Sequence, residues 1–410
     1  MTRLEPARTG ADRLLAYGRI AGAMLAWAVL ALIWLAWLAE VVRNMRLRLS
    51  HVSAAGMRIP DAPCGAPQCD FSVFWPAGIL ARAGAFHALY LPAPFQTLRQ
   101  HLFYTGIDKL NWFYPPTALL AVAPASFLPF EPGFYAWTAA LTALAVTALR
   151  LSGLPWLVVA AAMLSPAALW NDELGQFGVL TGAMLWYALT AMDRAPITAG
   201  TVLAGLLIKP QAALVAPVAM LAATRWRAIA ACAAAGAALL ALTLLAFGWG
   251  AWAAYLGDGL KLSRAVIDVP PPQANYERFG LSVFWMLRSF AVPLAIAYAG
   301  QAAVALAAFA LAWRLWRTGA GTLTERAALT VFLSLLATPY GYADDMAGWS
   351  VALAALACGR NWRLNLLDAL FWTWPCLCEP VFTWTGHVLT PLVVALAVAK
   401  SWPRKEALLF

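Results

Sequence analysis

Apolar and polar residues alternate in long blocks along this chain. Runs of roughly 20 mostly apolar residues, the length a helix needs to cross a bilayer, recur from one end to the other with short polar connectors between them. In lipid every backbone N–H and C=O must find its partner within the segment, so such runs are helices. The pattern predicts spans at 20–41, 115–129, 133–149, 154–169, 177–192, 196–223, 227–248, 289–313, 327–339, 344–358, 364–378 and 385–400. The predicted fold class is an all-α polytopic membrane protein, a bundle of about 12 transmembrane helices forming one integral membrane domain over 1–410. No internal repeat and no separate soluble domain stand out.

The first run is too long for a signal peptide, and no small-residue cleavage site follows it, so it reads as a retained helix. Arg3, Arg8, Arg13 and Arg19 precede it and predict a cytoplasmic N-terminus. Twelve spans bring the C-terminus to the same side. The basic clusters at Arg225 and Arg227, at Arg314, Arg317 and Arg326, at Arg360 and Arg363, and at Lys400, Arg404 and Lys405 then also fall inside. Two connections are long, 43–114 and 249–288, and both fall outside. The first carries Phe71, Phe74, Trp75, Ile79, Leu80, Phe86 and Leu89 at helical spacing, which predicts a short helix lying at the membrane interface.

Composition agrees with the pattern. The chain is 63% hydrophobic and 11% charged, against roughly 25% charged in soluble domains. The formal charge of +9 is scattered over helix ends, where Lys and Arg set orientation, and does not point to nucleic acid.

A few polar residues stand out against this background. Cys64 and Cys69 share the first outer loop with Gly65 and Pro67 between them, and an oxidising compartment permits a bridge. Their spacing is not a zinc pattern without a second His/Cys pair, and no metal site is expected. Asp70 follows at the start of the interfacial helix, where a carboxylate serves as a helix cap or as a general base. Lys209 lies within a span with Pro210 behind it. Charge at that depth is costly, which points to a cavity-facing role or to snorkelling. Arg278 and Arg288 bracket the end of the second loop, placed for a phosphate or for lipid headgroups. Asp344 and Asp345 stand at an outer helix end, suited to sugar or acceptor hydroxyls or to capping. Gln176 and Asn171 fit a cavity wall or helix packing. Trp75, Trp112 and Tyr114 fit an interfacial belt or a stacking surface for a sugar ring.

The order of these pieces resembles a known family. Asp70-Phe71, then Leu89-Tyr90, then Tyr114-Pro115-Pro116 at a helix start, Gly175-Gln176 opening a span, Ile208-Lys209-Pro210-Gln211 within one, and Thr338-Pro339-Tyr340 followed by Asp345 are similar to the elements of glycosyltransferase family 87. That group of GT-C-type membrane enzymes takes sugars from polyprenyl phosphates and includes mycobacterial mannosyltransferases of phosphatidylinositol mannoside synthesis. The late element departs from the family: where relatives often carry histidines, this chain reads Tyr342-Ala343-Asp344-Asp345.

The resemblance implies a GT-C-like bundle and an inverting transfer of a hexose, mannose foremost, from a polyprenyl-phosphate sugar to a lipid or glycan acceptor. It places the enzyme at the outer face of a bacterial inner membrane, both termini cytoplasmic. It implies Asp70 as general base and a departing lipid phosphate in need of cations; by their position Lys209, Arg278 and Arg288 are the candidates for the donor phosphate, and Trp75, Tyr114, Gln176, Asp344 and Asp345 for the sugar or acceptor. No cofactor is required beyond the lipid-linked donor. The competing readings are a secondary transporter or lipid flippase and a structural or assembly membrane protein without catalysis, against which the buried Lys209 and the ordered motifs argue. Transporters pair broken helices in related halves; here Lys209-Pro210 is one break with no matching half.

Overall fold

The computed structural model describes residues 69–103, 109–269 and 277–403, together with parts of a helix between 21 and 43. Among the described residues there is no strand, and one isolated antiparallel bridge joins Gly280 to Tyr342. Three described helices are long and apolar enough to cross a membrane: Phe130–Leu151, Trp226–Ile267 and Leu294–Thr318. Shorter apolar helices include Pro116–Ala125, Gly178–Ala191 and Thr390–Ser401.

Burial separates two kinds of helix. Gly178–Ala191, Leu323–Ala337 and Ala347–Gly359 are buried on nearly every side and form the centre of the bundle. The longest helix is different: Leu240, Leu242, Leu244, Leu245 and Trp249 all face outward. A helix apolar all round belongs in a protein interior or in lipid, and this one has the second surface. Glycines let the central helices touch. A Cβ on Gly178 would sit 2.1 Å from Asp344 O, so that position admits the Asp344 backbone only because it has no side chain.

Several expected elements are drawn differently. The predicted span 196–223 is broken into Pro196–Gly205, two 3-10 turns around Lys209, and Ala216–Ala222. Pro210 cannot continue the ladder, and Lys209 takes φ −142° and ψ 73°. A carbonyl freed near the break, Leu207 O, accepts from Thr117 Oγ1. The predicted span 154–169 is divided into Trp156–Met163 and Pro166–Leu174, with the Ser165 hydroxyl capping the second piece.

The second long loop, expected over 249–288, is largely helix. Gly248 adopts φ +69° and kinks the chain without ending the helix, which runs on to Ala254, through a wide turn at Tyr255–Gly259, and as Leu260–Ile267. The first connection holds three helices, Phe71–Arg82, Phe86–Tyr90 and Pro92–Leu102, where one was expected. The first of these is packed into the protein on most of its surface. Phe71, Ser72, Val73, Phe74, Ala77 and Gly78 are all buried. The small residues supply a second packing face: Gly78 approaches Val122 O so closely that a Cβ would stand 2.5 Å from it. Residues 1–20 and 404–410, on which the orientation of both termini was argued, lie outside the described residues.

Candidate active site

Several chain segments line a cavity of about 520 Å³, and four of them bring Asp70, Gln176, Lys209 and Asp344 to it. The first is the start of the Phe71–Arg82 helix, which brings Asp70. Asp70 stands at the helix N-cap, but its side chain makes no capping bond. Its own N–H donates to Leu174 O at 3.1 Å, which fixes its backbone against the second segment. There the Pro166–Leu174 helix stops at Gly175, in the left-handed region at φ +76°. A Cβ on Gly175 would meet Phe71 Cβ at 2.9 Å, so glycine serves both the turn and the close approach to the Asp70 helix.

Gln176 follows the turn and aims its amide at the cavity. Its Oε1 accepts from Tyr114 Oη at 2.9 Å and from Phe177 N at 3.2 Å. With the oxygen so engaged, the amide nitrogen is the end left for Asp70, to which Gln176 is hydrogen-bonded. Tyr114 is held edge-on to Phe74, ring centroids 5.3 Å apart, and its hydroxyl donates to Gln176. Burial, reinforced by the Asp344 carboxylate, pushes Asp70 up from 3.8 to about 7; the Gln176 hydrogen bond and the charges of Lys209 and Arg99 act in the opposite sense.

The third segment is the break at Lys209 and the fourth is the 3-10 turn Ala343–Met346. Lys209, 3% exposed, places Nζ 2.9 Å from Asp344 Oδ2 and 2.6 Å from Asp345 Oδ1. Asp345 also closes its own turn by accepting from Tyr342 N at 3.2 Å. Asn171 ties the turn to the second segment, donating to Asp344 O at 3.1 Å and accepting from Val179 N at 3.2 Å. Asp344 faces the cavity; Asp345 stands behind Lys209 and does not line it.

Paired backbone sets another part of the wall. Leu281 N donates to Gly341 O at 3.0 Å, which brings Arg278 and Phe279 beside Tyr340 and Tyr342. Arg278 is half-exposed, stacks over Phe279 at 4.8 Å and stands 3.9 Å from Glu379.

Of the residues expected from sequence, Asp70, Tyr114, Gln176, Lys209, Arg278 and Asp344 share this one cavity. Arg288 does not line it: the side chain is buried and donates to Val292 O at 3.1 Å. Trp75 is turned away as well. Its Nε1 donates to Leu128 O at 3.0 Å and its ring packs edge-on to Phe130. Trp112 is fully buried beneath Tyr90. Cys69 lines the cavity and is disulfide-bonded; Cys64, its expected partner, lies outside the described residues. Sequence reasoning did not single out Lys109, Trp170 or Tyr255, which also line the cavity. Among the described residues no group of three His, Cys, Asp or Glu is placed to hold a metal ion.

The described fold is that of a helical membrane protein whose cavity holds a desolvated carboxylate and an ion-paired lysine. The sequence matches glycosyltransferase family 87 over residues 112–339, and the chain belongs to that family; it is a glycosyltransferase. No curated protein and no solved structure matches it. The matched stretch begins after Asp70 and ends before Asp344, so what joins those two carboxylates to the family region is the geometry of the cavity.

Proposed function

We propose that the protein is an inverting hexosyltransferase, moving a hexose, mannose foremost, from a polyprenyl-phosphate sugar to a lipid or glycan acceptor at the outer face of a bacterial inner membrane. The observation that carries the reading is Asp70. It is a carboxylate at the wall of a cavity, free of capping duty, oriented by Gln176 and titrating near neutrality. A general base works best with a pKa close to the operating pH.

The chemistry follows from that placement. The acceptor hydroxyl gives its proton to the Asp70 carboxylate as its oxygen attacks the anomeric carbon. The bond from that carbon to the phosphate oxygen breaks on the opposite face, so configuration inverts and polyprenyl phosphate departs with the bonding electrons. The leaving group is a monophosphate with no diphosphate to neutralise, and the reading names no resident metal. Asp344, held by Lys209, is placed to accept from sugar or acceptor hydroxyls.

Of the three cations the sequence suggested for the phosphate, this reading keeps Arg278 and adds Lys109. Lys209 already faces two carboxylates, so with both ionised that cluster carries a net negative charge and does not attract phosphate. Among the described residues, Arg278 and Lys109 line the same cavity as cations not held between two carboxylates. Trp170, Phe279 and Tyr255 offer aromatic faces for the sugar or the first isoprene unit.

The test uses purified protein in nanodiscs, a panel of radiolabelled polyprenyl-phosphate hexoses, and a membrane lipid extract as acceptor. Wild type transfers sugar with inversion, best from the mannose donor. Asp70→Asn, with its fold checked by thermal transition, loses activity by about 10²–10⁴-fold. Equal transfer by the folded variant moves the base elsewhere. Transfer only from nucleotide sugars overturns the donor assignment.

A further inference from the structure

Arg99 belongs to the Pro92–Leu102 helix, in a polar stretch that reads as a solvated face, yet it is fully buried at 0% exposure. A guanidinium leaves water only where its N–H groups find acceptors. Here Nε donates to Ser72 O at 3.1 Å and Nη2 to Ser72 Oγ at 2.9 Å. Nη1 donates to Gln96 Oε1 at 3.1 Å and to Leu110 O at 3.4 Å. The Ser72 hydroxyl, itself buried, donates onward to Cys69 O at 2.6 Å. The rigid fork of arginine thus grips the carbonyl and the hydroxyl of one residue at once. The chain of contacts runs from Arg99 through Ser72 to Cys69, and Asp70 lies between the last two. On its other side Asp70 is held through its N–H by Leu174.

We propose that Arg99 is a positioning residue for the base: it clamps the Cys69–Ser72 turn so that the Asp70 carboxylate is presented to Gln176 and to the cavity. The inference rests on the reading of Asp70 as the base. Charge adds to the clamp. Arg99 and, from the broken helix, Lys209 favour the ionised form of Asp70, while Asp344 and burial oppose it; Gln176 contributes a hydrogen bond, and Tyr114 is the remaining titratable neighbour.

Three variants separate clamp from charge: Arg99→Met, Arg99→Lys and Ser72→Ala. Each is assayed for kcat, donor KM and the pH profile of transfer. Asp70 is titrated independently through its protonated-carboxyl infrared band, assigned by its loss in Asp70→Asn. Arg99→Met lowers kcat by about 10- to 100-fold, the scale of a misplaced reacting group, with donor KM little changed. Its acid limb and infrared midpoint both move to higher pH. Arg99→Lys keeps the limb near the parental position but not kcat, because an ammonium cannot grip Ser72 O and Oγ in parallel. Ser72→Ala lowers kcat less and leaves the limb in place.

An Arg99→Met enzyme with parental kcat, limb and infrared midpoint overturns the proposal. So does a loss of kcat that only tracks the folded fraction, with the limb unmoved. If Arg99→Met does not fold, parental kcat in both Arg99→Lys and Ser72→Ala overturns it. Should Asp70→Asn transfer sugar as well as wild type, the base reading fails by itself, and the infrared midpoint still reports whether Arg99 acts on Asp70.

Discussion

Lys209 Nζ stands 2.6 Å from Asp345 Oδ1 and 2.9 Å from Asp344 Oδ2, with the lysine 3% exposed. One buried cation thus serves two carboxylates, and only one of the two faces the cavity. Removing a single partner of a buried ion pair costs about 3–5 kcal/mol, because the charge left behind has no compensation. Lys209→Met therefore destabilises on that scale and abolishes transfer, since Asp344 and Asp345 are left to repel one another. Asp345→Asn retains the Lys209–Asp344 pair and loses about 1.5–3 kcal/mol, with activity largely kept. Asp344→Asn loses activity more than stability. Thermal unfolding in detergent, read beside transfer rates, checks the order. Equal effects from the two aspartates would sink the division of labour.

The acidity of Asp70 gives a pH dependence of definite sign. A base must be ionised to act, and this carboxyl titrates near 7. Transfer should rise with pH through about 7 and level off above it, the reverse of what a catalytic acid would give. Stability runs the other way. The folded state holds the Asp70 proton to higher pH than the unfolded chain, so folding loses stability as pH climbs from 3.8 to about 7 and is level beyond. Asp70→Asn removes that loss. Its thermal transition should exceed the parental one at pH 8 and converge with it near pH 4. An inactive variant that is also less stable at pH 8 would show that Asp70 supports the fold.

Gly178 tests whether the turn carrying Asp344 has room to move. A Cβ there would meet backbone, Asp344 O at 2.1 Å, and also Asn171 Nδ2 at 2.5 Å. Gly178→Ala must push the 343–346 turn away and loosen the Asn171 tie. The expected cost is about 1–3 kcal/mol, the usual scale of overpacking, with a larger fractional loss of kcat than Ala substitution at Gly257, where a Cβ meets nothing within 4 Å. Retained kcat in Gly178→Ala would show that the position of Asp344 is unimportant to transfer.

What could be read from sequence was what the chain punctuates. Pro210 after Lys209 marks a break, and a lysine at a break inside an apolar run has few places to go but a cavity. Gly175 before Gln176 marks a helix stop, and Tyr114-Pro115-Pro116 marks a start. These cues located three of the polar groups now found together, Lys209, Gln176 and Tyr114. Arg99 carried no such mark. Its neighbours Gln96, Gln100 and His101 describe a wet helix face, and only the fold brings Ser72, 27 positions earlier, onto its guanidinium. The span expected to end at 248 goes on instead, because Gly248 bends a helix that continues to Ala254. Alternation of apolar and small residues over 71–82 looked like one oily face, whereas the small positions Ser72, Ala77 and Gly78 are themselves packed.

Arg278 and Arg288 were indistinguishable in sequence and are separated by the structure. Arg278 lines the cavity, half-exposed, with Glu379 at 3.9 Å as a loose partner. Arg288 is buried on the far side of the 277–289 segment, bound to Val292 O, with its Nε lacking a hydrogen-bond partner and Glu277 as its electrostatic neighbour. A cation that meets the donor phosphate and one that braces a loop fail differently. Arg278→Ala should raise donor KM by about tenfold or more, the worth of a charge-assisted hydrogen bond, with the thermal transition nearly unmoved because an exposed ion pair contributes little. Arg288→Ala should leave KM near parental and lower the thermal transition, since it strands the buried Glu277 carboxylate. Arg278→Lys, which keeps the charge and loses the fork, should fall between wild type and Ala in KM. A donor KM raised by Arg288→Ala but not by Arg278→Ala would place the phosphate on the other side of this segment and reverse the assignment.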